Sequence, residues 1–375
     1  MNKKKVIIFG TGIDALRCTN MLFSKYQMCP EYFIVNNCQQ TSFAGYKVQE
    51  CERQNIGEQF ILVATKEVTY TAIKKQLCDM GFVEFEHFIY YEWMFKKLVL
   101  LHGNCHLDVI EEYLRSSRNF LEKYSIYPNP RICMNDSKTI PTKVLQNIDL
   151  WIHEDIQDNN GYSYYLSDHY LRNQMQETVE EIIIPHLFGL GKAFFPHSEV
   201  NRNNASLSNG KDKNGMFPHA DLLIEQCVEK GLSADETVQF CMGENCIIEK
   251  DILENFNYFM DKIQQREKSW DIKIYDFIVR NYKAKKLFYD MGHPTNVILE
   301  YIAYEILDRL GIHDTLSVDI RLDYHEIPVY PAICKVLGLE WQDEKIRTSS
   351  EAKRIASQMD VEEYIKEYLY WCHQM

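Results

Sequence analysis

Short apolar runs alternate with longer amphipathic stretches along the first 96 residues of the chain. The runs at residues 6–9, 32–35 and 60–64 are rich in Val, Ile and Phe and predict buried β-strands. The stretches at residues 15–26 and 69–80 have apolar positions at helical spacing and predict α-helices. Because strands and helices alternate, this part of the chain is predicted to form a small parallel α/β sheet.

A second pattern begins at Lys97, so we predict one domain over residues 1–96 and a second, helix-rich α/β domain over residues 97–375. Apolar runs starting at Leu98 and at residues 150–152 and 182–185 predict strands. Two apolar stripes predict helices: Leu107, Ile110 and Leu114, and later Val297, Tyr301, Ile302, Ile306 and Leu310. Residues 201–215 are rich in Asn, Ser, Gly and Lys and predict a long loop.

Composition narrows the class of protein. A length of 375 residues exceeds what one hydrophobic core ordinarily supports, which agrees with two domains. The 41 Lys and Arg against 54 Asp and Glu give a net charge of −13, which argues against nucleic acid as a partner. No apolar stretch reaches the roughly 20 residues of a membrane span, and no signal peptide is recognisable. The twelve cysteines lack a secretory context, so we expect reduced thiols, no metal site and a cytoplasmic protein.

The first predicted strand ends in a glycine-rich turn, Gly10-Thr-Gly12-Ile-Asp-Ala15. This G-x-G-x-x-A pattern lets the start of a helix approach a pyrophosphate, and it predicts nucleotide contacts from Gly10, Gly12 and Asn37. The second strand ends in two asparagines where an NAD site expects an acid, so redox use of NAD is disfavoured. Close packing of helix on strand is an equally good explanation of the glycines. The segment resembles the small Rossmann-like modules attached to sugar-modifying enzymes, which implies a sugar-nucleotide site or a scaffold derived from one.

A candidate nucleophile lies at the start of the second domain. Cys105 follows a buried strand and begins a helix, where backbone N–H groups and the helix dipole favour a thiolate. Much later, Asp290-Met-Gly-His293 supplies an imidazole with an orienting carboxylate. The backbone N–H of Cys105 and the side chain of Asn104 are candidate oxyanion donors. The layout is similar to that of SGNH-type esterases, with Cys in place of the nucleophilic Ser.

The order of several motifs over residues 98–375 resembles the WcbI-type polysaccharide-biosynthesis family, described as acetyltransferases that bind coenzyme A and act in capsule production. The matching segments are Gly103-Asn-Cys105, Ile182-Ile-Ile-Pro185, Phe194-Phe-Pro196, Phe217-Pro-His-Ala-Asp221, Gly231-Leu-Ser233, Ile278-Val-Arg-Asn-Tyr282, Leu287-Phe-Tyr-Asp-Met-Gly-His-Pro-Thr-Asn296, Ile327-Pro-Val-Tyr-Pro331 and Leu337-Gly-Leu339. His106 stands where the family pattern has glutamine, and no histidine occurs in the next dozen residues. The identity of the general base is therefore left open between His293 and His106. His293 could alternatively cap the helix that follows it.

The resemblance implies a coenzyme A site, which needs cations for the phosphates because the chain as a whole is acidic. The candidate coenzyme A contacts are Gly103, His106, Arg280, Lys283, Lys286 and Asn296, with Lys285, Lys345 and Arg347 as further cations. A solvated helix face explains such a charge cluster equally well.

The leading hypothesis is an acetyl-coenzyme A dependent O-acetyltransferase that acts on a sugar or nucleotide-linked sugar in surface-polysaccharide biosynthesis. The alternatives are a cysteine esterase or thioesterase, for which water is the acceptor, and a non-catalytic sugar-nucleotide-binding scaffold. Whether the protein forms a homo-oligomer is left open.

Overall fold

The computed structural model describes residues 5–134, 138–159, 161–200, 217–323, 325–350 and 355–374. The chain divides into two compact units. The first comprises Met1–His102, Asn119–Ile152 and Ile156–Glu181, and the second comprises Gly103–Arg118, His153–Asp155 and Ile182–Met375. The domain boundary between residues 96 and 97 stays a prediction. The loop predicted at residues 201–215 lies outside the described residues.

Strands and helices are interspersed up to residue 184. In chain order they are β1 (Val6–Phe9), α1 (Ile13–Tyr26), β2 (Phe33–Val35), β3 (Ser42–Phe43), β4 (Tyr46–Glu50), β5 (Phe60–Val63), α2 (Glu67–Asp79), β6 (Phe88–Tyr90), β7 (Lys97–His102), α3 (His106–Ser116), α4 (Arg118–Lys123), β8 (Tyr124–Ile126), α5 (Thr142–Leu145), β9 (Leu150–Glu154), α6 (Asp168–Arg172) and β10 (Glu180–Ile184).

The later elements are mainly helical. They are β11 (Ser198–Val200), β12 (His219–Asp221), α7 (Leu222–Glu229), α8 (Ala234–Cys241), α9 (Glu249–Arg266), α10 (Tyr275–Asn281), α11 (Asn296–Arg309), α12 (Pro331–Leu337), β13 (Ile346–Ser350), β14 (Ile355–Met359) and α13 (Val361–Gln374). Within the described residues, no helix combines the length and the apolar character that crossing a membrane requires.

A six-stranded sheet with the order β3-β4-β2-β1-β5-β6 forms in the first unit. All of its strand pairs are parallel except β3 with β4, which form an antiparallel hairpin. The parallel strands therefore run third, second, first, fourth and fifth in sequence order, which is the order of dinucleotide-binding sheets. The predicted α/β class, with a Rossmann-like parallel sheet before a helix-rich α/β region, is confirmed.

The turn after β1 requires glycine at its first position. Gly10 has φ +119°, and a Cβ there would lie 2.6 Å from the carbonyl oxygen of Ala64. Around Gly12, by contrast, nothing lies within 4 Å of an added Cβ. Helix α1 then buries Ala15, Cys18 and Leu22. Close packing is thus sufficient to explain why residue 10 is glycine. It does not explain the glycine at residue 12.

A second sheet has the order β10-β9-β7-β8, and the division into units passes through β9 and β10. In the second unit, α3 packs against α11. The predicted stripe of α3 is buried as expected, with Leu107, Ile110 and Leu114 inaccessible to solvent. On α11 the buried face is shifted: Ile302 and Ile306 are buried, but Val297, Tyr301 and Leu310 are only partly buried. The residues that follow each buried position, such as Ala303 and Leu307, are buried as well, so the core face of α11 is broader than one stripe.

Candidate active site

Cys105 lies at the N-cap of α3, directly after the residues that link this helix to β7. Its backbone is already helical, with φ −58° and ψ −20°, and its side chain is partly exposed. The carbonyl of Cys105 accepts the first-turn hydrogen bond from Asp108 N–H at 3.0 Å. The thiol therefore lies at the positive end of an 11-residue helix, a position that favours the thiolate.

Asp290 orients His293. The Nδ1 of His293 donates to Asp290 Oδ2 at 2.7 Å, while Asp290 Oδ1 accepts the backbone N–H groups of Gly292 (2.6 Å) and His293 (2.7 Å). Burial of the carboxyl is outweighed by hydrogen bonds from His219 and His293, which hold the pKa of Asp290 far below its ordinary range. The loop is therefore built around an ionised carboxylate.

His293 carries a positive charge at neutral pH. Burial opposes that charge, but the hydrogen bonds with Asp290 and with Cys105 outweigh it and raise the pKa of His293 to about 10. With Nδ1 on Asp290, the ring interacts with the Cys105 thiol through its remaining nitrogen. The arrangement is a thiol, an imidazole and a carboxylate in series, as in nucleophilic catalysis.

A second histidine contacts the same carboxylate. The Nε2 of His219 lies 3.4 Å from Asp290 Oδ2. His325 interacts electrostatically with His219, Asp290 and His293. Burial, together with the neighbouring His219 and His293, lowers the pKa of His325 to about 4. Sequence reasoning assigned no role to either histidine. His219 belongs to the Phe217-Pro-His-Ala-Asp221 segment, which was the available signal, whereas nothing in the sequence pointed to His325.

Glu154 is the buried carboxylate beneath the Cys105 loop. It accepts hydrogen bonds from Asn104 Nδ2 (3.0 Å), His106 Nδ1 (3.0 Å) and His186 Nδ1 (2.7 Å). Burial would raise its pKa, but the hydrogen bonds from His106 and His186 outweigh burial and hold the pKa well below the ordinary value. An added Cβ at Gly103 would lie 2.8 Å from Glu154 Cγ, so glycine is needed there. Sequence reasoning missed Glu154 and His186.

His106 contacts both Glu154 and the loop that carries His293. It is 1% exposed, and its Nε2 lies 2.9 Å from the carbonyl oxygen of Gly292 while Nδ1 lies 3.0 Å from Glu154 Oε1. Both ring nitrogens are therefore engaged with acceptors. The rings of His106 and His293 lie 6.4 Å apart, centroid to centroid. Of the two histidines left open as the base, only His293 interacts with the Cys105 thiol.

The predicted coenzyme A contacts have varied surroundings. Lys286 makes ion pairs with Glu326 (2.8 Å) and Asp343 (2.6 Å). Arg280 is exposed and lies 3.6 Å from Asp276. Lys283 and Asn296 also have partners within the protein. Lys283 Nζ lies 5.9 Å from the centre of the Tyr282 ring, and Asn296 Nδ2 donates to the Ile320 carbonyl at 2.9 Å.

The predicted nucleotide contacts lie in the first unit. Gly10 and Gly12 form the turn between β1 and α1, and the exposed Asn37 follows β2. In the part of the chain that the structure describes, no group of three or more His, Cys, Asp or Glu side chains is arranged to hold a metal ion.

The fold is α/β, and Cys105, His293 and Asp290 lie in series at the start of α3. The family model "Polysaccharide biosynthesis enzyme WcbI" matches residues 98–315, more than half of the chain. The chain belongs to the WcbI family of polysaccharide-biosynthesis enzymes, and the resemblance seen in the sequence is confirmed.

A solved structure shares the fold. It is described as WcbI, "a novel polysaccharide biosynthesis enzyme", in the form of a native protein without a disulfide bond between coenzyme A and one of its cysteines. The match has a TM-score of 0.59 at 18% identity and covers 75% of this chain and 91% of that chain. No curated protein gives a significant match.

Proposed function

We propose that this protein is a cytoplasmic acetyltransferase that moves the acetyl group of acetyl-coenzyme A to a sugar hydroxyl during polysaccharide biosynthesis. The observation that carries the proposal is the interaction of Cys105 with His293, whose Nδ1 is held by Asp290 at 2.7 Å. A thiolate beside an imidazolium is the form of cysteine that attacks a thioester. Family membership and the mention of coenzyme A beside a cysteine in the related structure support the choice of substrate.

In the first half-reaction, Sγ of Cys105 attacks the thioester carbonyl carbon of acetyl-coenzyme A. The backbone N–H of Cys105 stabilises the tetrahedral oxyanion, assisted by the second amide proton of Asn104, whose other amide proton is held by Glu154. The bond from carbon to the coenzyme A sulfur then breaks, and His293 gives its proton to the leaving thiolate. The products are acetyl-Cys105 and free coenzyme A.

In the second half-reaction, a sugar hydroxyl attacks the acetyl carbon of acetyl-Cys105. Once the thiolate charge is gone, His293 is neutral and takes the hydroxyl proton, and Asp290 stabilises the imidazolium that forms. The carbon–sulfur bond breaks, and the Cys105 thiolate returns beside His293. For the coenzyme A phosphates, we propose Arg280 and Lys283 as contacts; Lys286 instead holds two carboxylates.

The test is intact-protein mass spectrometry after brief incubation with acetyl-coenzyme A and no acceptor. We expect an acetyl adduct on Cys105 that is absent from Cys105→Ala. Coenzyme A binding without an adduct would replace the covalent route with direct transfer to the sugar. Release of coenzyme A without sugar, together with cleavage of a simple aryl ester, would identify an esterase. Neither binding nor an adduct would overturn the proposal.

A second proposal concerns the first unit, where we infer a sugar-nucleotide site at the turn of Gly10 and Gly12, with Asn37 nearby. The sheet order supports it, because ligands of such sheets bind where the strand order reverses, here beside the carboxyl end of β1. Uridine diphosphate and a uridine-diphosphate sugar should raise the melting temperature of the wild-type protein. No shift with either compound would remove this proposal.

A further inference from the structure

Two imidazole nitrogens beside the Asp290–His293 pair are buried without a hydrogen-bond partner. They are Nδ1 of His219 and Nδ1 of His325, and no donor or acceptor of the described chain reaches either atom. Buried polar atoms in proteins are nearly always paired, so each exception needs an explanation. A ligand that supplies the missing partner is such an explanation. Both side chains belong to the second unit, with Cys105.

The hydrogen bonds of the cluster determine what His219 can bind. Its Nε2 lies 3.4 Å from the ionised Asp290 Oδ2, so Nε2 carries a proton and donates to the carboxylate. The carboxylate thereby fixes the orientation of the ring, as carboxylates do for histidines elsewhere. Nδ1 is the nitrogen left to face a ligand.

His325 is neutral at physiological pH, because burial, with His219 and His293 nearby, lowers its pKa to about 4. A neutral imidazole has one N–H and one lone pair, so it can donate to one hydroxyl oxygen or accept from one hydroxyl proton. His219 and His325 interact electrostatically with each other, so both belong to the same region of the second unit.

We propose that His219 and His325 form the subsite that binds the hydroxyl groups of the acceptor, and that this subsite selects an uncharged polyol such as a sugar ring. This inference rests on the proposed transferase function, since it names the substrate class of that site. Hydroxyl groups complement imidazole nitrogens because they both donate and accept hydrogen bonds. A phosphate or carboxylate would instead approach the negative charge of Asp290. The phosphates of coenzyme A therefore bind elsewhere.

The subsite is tested without catalysis by NMR of protein labelled with nitrogen-15 in its histidine rings. Methyl glycosides of glucose, galactose and mannose serve as uncharged probes, and inorganic phosphate serves as the anionic probe. We expect at least one glycoside to shift the Nδ1 signals of His219 and His325, and phosphate to leave them in place. A shift with phosphate alone, or with no probe at all, overturns the proposal.

A kinetic test uses His219→Phe and His325→Phe, which keep a ring but remove the nitrogens. Acetyl-Cys105 is formed first, and its decay is followed with the best glycoside and, separately, with hydroxylamine, a small nucleophile that needs no sugar subsite. We expect the ratio of glycoside rate to hydroxylamine rate to fall at least tenfold in both variants, with the loss mainly in KM for the glycoside. The exposed His313 provides the control His313→Phe, whose ratio should match wild type.

The outcomes separate this inference from the proposed function. If acetyl-Cys105 never forms but the glycoside shifts the two histidine signals, the transferase mechanism fails and the sugar subsite stands. If acetyl-Cys105 forms and both Phe variants keep the wild-type ratio, the mechanism stands and the subsite is refuted.

Discussion

At the scale of single residues, the site consists of two buried carboxylates, and each holds two histidines. Asp290 contacts His293 and His219, and Glu154 contacts His106 and His186. The sequence could predict Cys105, His293 and Asp290, because each belongs to a short motif with a local signal. It could not predict Glu154, whose partners are 32 to 50 residues away in the chain. Contacts between residues so far apart in the chain depend on which strands become neighbours, and the local sequence does not determine that.

The first prediction concerns the pH dependence of the Cys105 thiol. Because the pKa of His293 is raised to about 10, the imidazolium persists through neutral pH and supports the thiolate. In His293→Gln, the thiol should lose this support, and alkylation by iodoacetamide at pH 7 should slow by roughly tenfold. The measurement is the alkylation rate from pH 5 to 10, with the exposed His313→Gln as the control. Equal profiles for His293→Gln and wild type would contradict the ion pair.

The same shift affects stability. The pKa of His293 is raised from an ordinary 6.5, so its contribution to the free energy of unfolding is complete below pH 6.5 and is lost as pH rises towards 10. Urea denaturation should show wild type losing stability over that interval relative to His293→Gln. A constant difference between the two proteins from pH 6.5 to 10 would argue against the raised pKa.

The second prediction concerns Glu154. Replacement by Gln removes the charge from a fully buried acceptor of three hydrogen bonds and leaves the donors of His106 and His186 poorly matched. We expect a loss of about 3 kcal/mol in the free energy of unfolding, the size typical of breaking a buried charged pair. Chemical denaturation provides the measurement. The control is Glu254→Gln, because Glu254 is 66% exposed and its loss should cost under about 0.5 kcal/mol. Equal stability of the two variants would show that Glu154 is not a structural anchor.

At the scale of elements, the sequence predicted the central strands and helices well, because those strands are apolar runs and the helices are long enough to show a period. β1 has the predicted bounds, and α1 begins only two residues earlier than predicted. The strands β6 and β8 were not predicted. Each has three residues, and each becomes a strand because a neighbouring strand, β5 or β7, supplies hydrogen bonds. Tertiary pairing, which is absent from a local window, determines such strands.

The junction between β7 and α3 gives a third prediction. Gly103→Ala places a Cβ within 2.9 Å of Glu154 and Leu107, so the variant should lose about 2 kcal/mol by overpacking. The matched control is Gly12→Ala at the other strand-to-helix turn, where no atom lies within 4 Å of the new Cβ and stability should hold. Thermal unfolding of both variants provides the comparison. A stable Gly103→Ala protein would mean that the Glu154 side chain moves aside freely.

At the scale of the whole molecule, the family match begins at residue 98, so the sheet of the first unit lies outside it. The proposed ligands are accordingly divided: coenzyme A in the second unit and a sugar nucleotide in the first. The sequence could indicate two domains from length and pattern. It could not show that residues 103–118 and 153–155 belong with the C-terminal unit, because chain order does not report which segments pack together.

This division gives a fourth prediction, for hydrogen exchange. Coenzyme A should slow amide exchange in residues 103–108 and 290–296, which carry the reactive thiol and the imidazole. Uridine diphosphate should instead slow exchange in residues 10–15. Mass spectrometry of the labelled peptides measures both. Protection of residues 10–15 by coenzyme A, and not by uridine diphosphate, would reverse our assignment of ligands to units.

The ring of His106 joins groups 186 residues apart along the chain, since its Nε2 reaches the carbonyl of Gly292. The Cys105 loop and the His293 loop are consequently brought together only when distant parts of the chain have folded. While the protein is being synthesised, Cys105 emerges long before the His293 with which it interacts. The proposed nucleophile is therefore assembled only after the segment that carries His293 has been made.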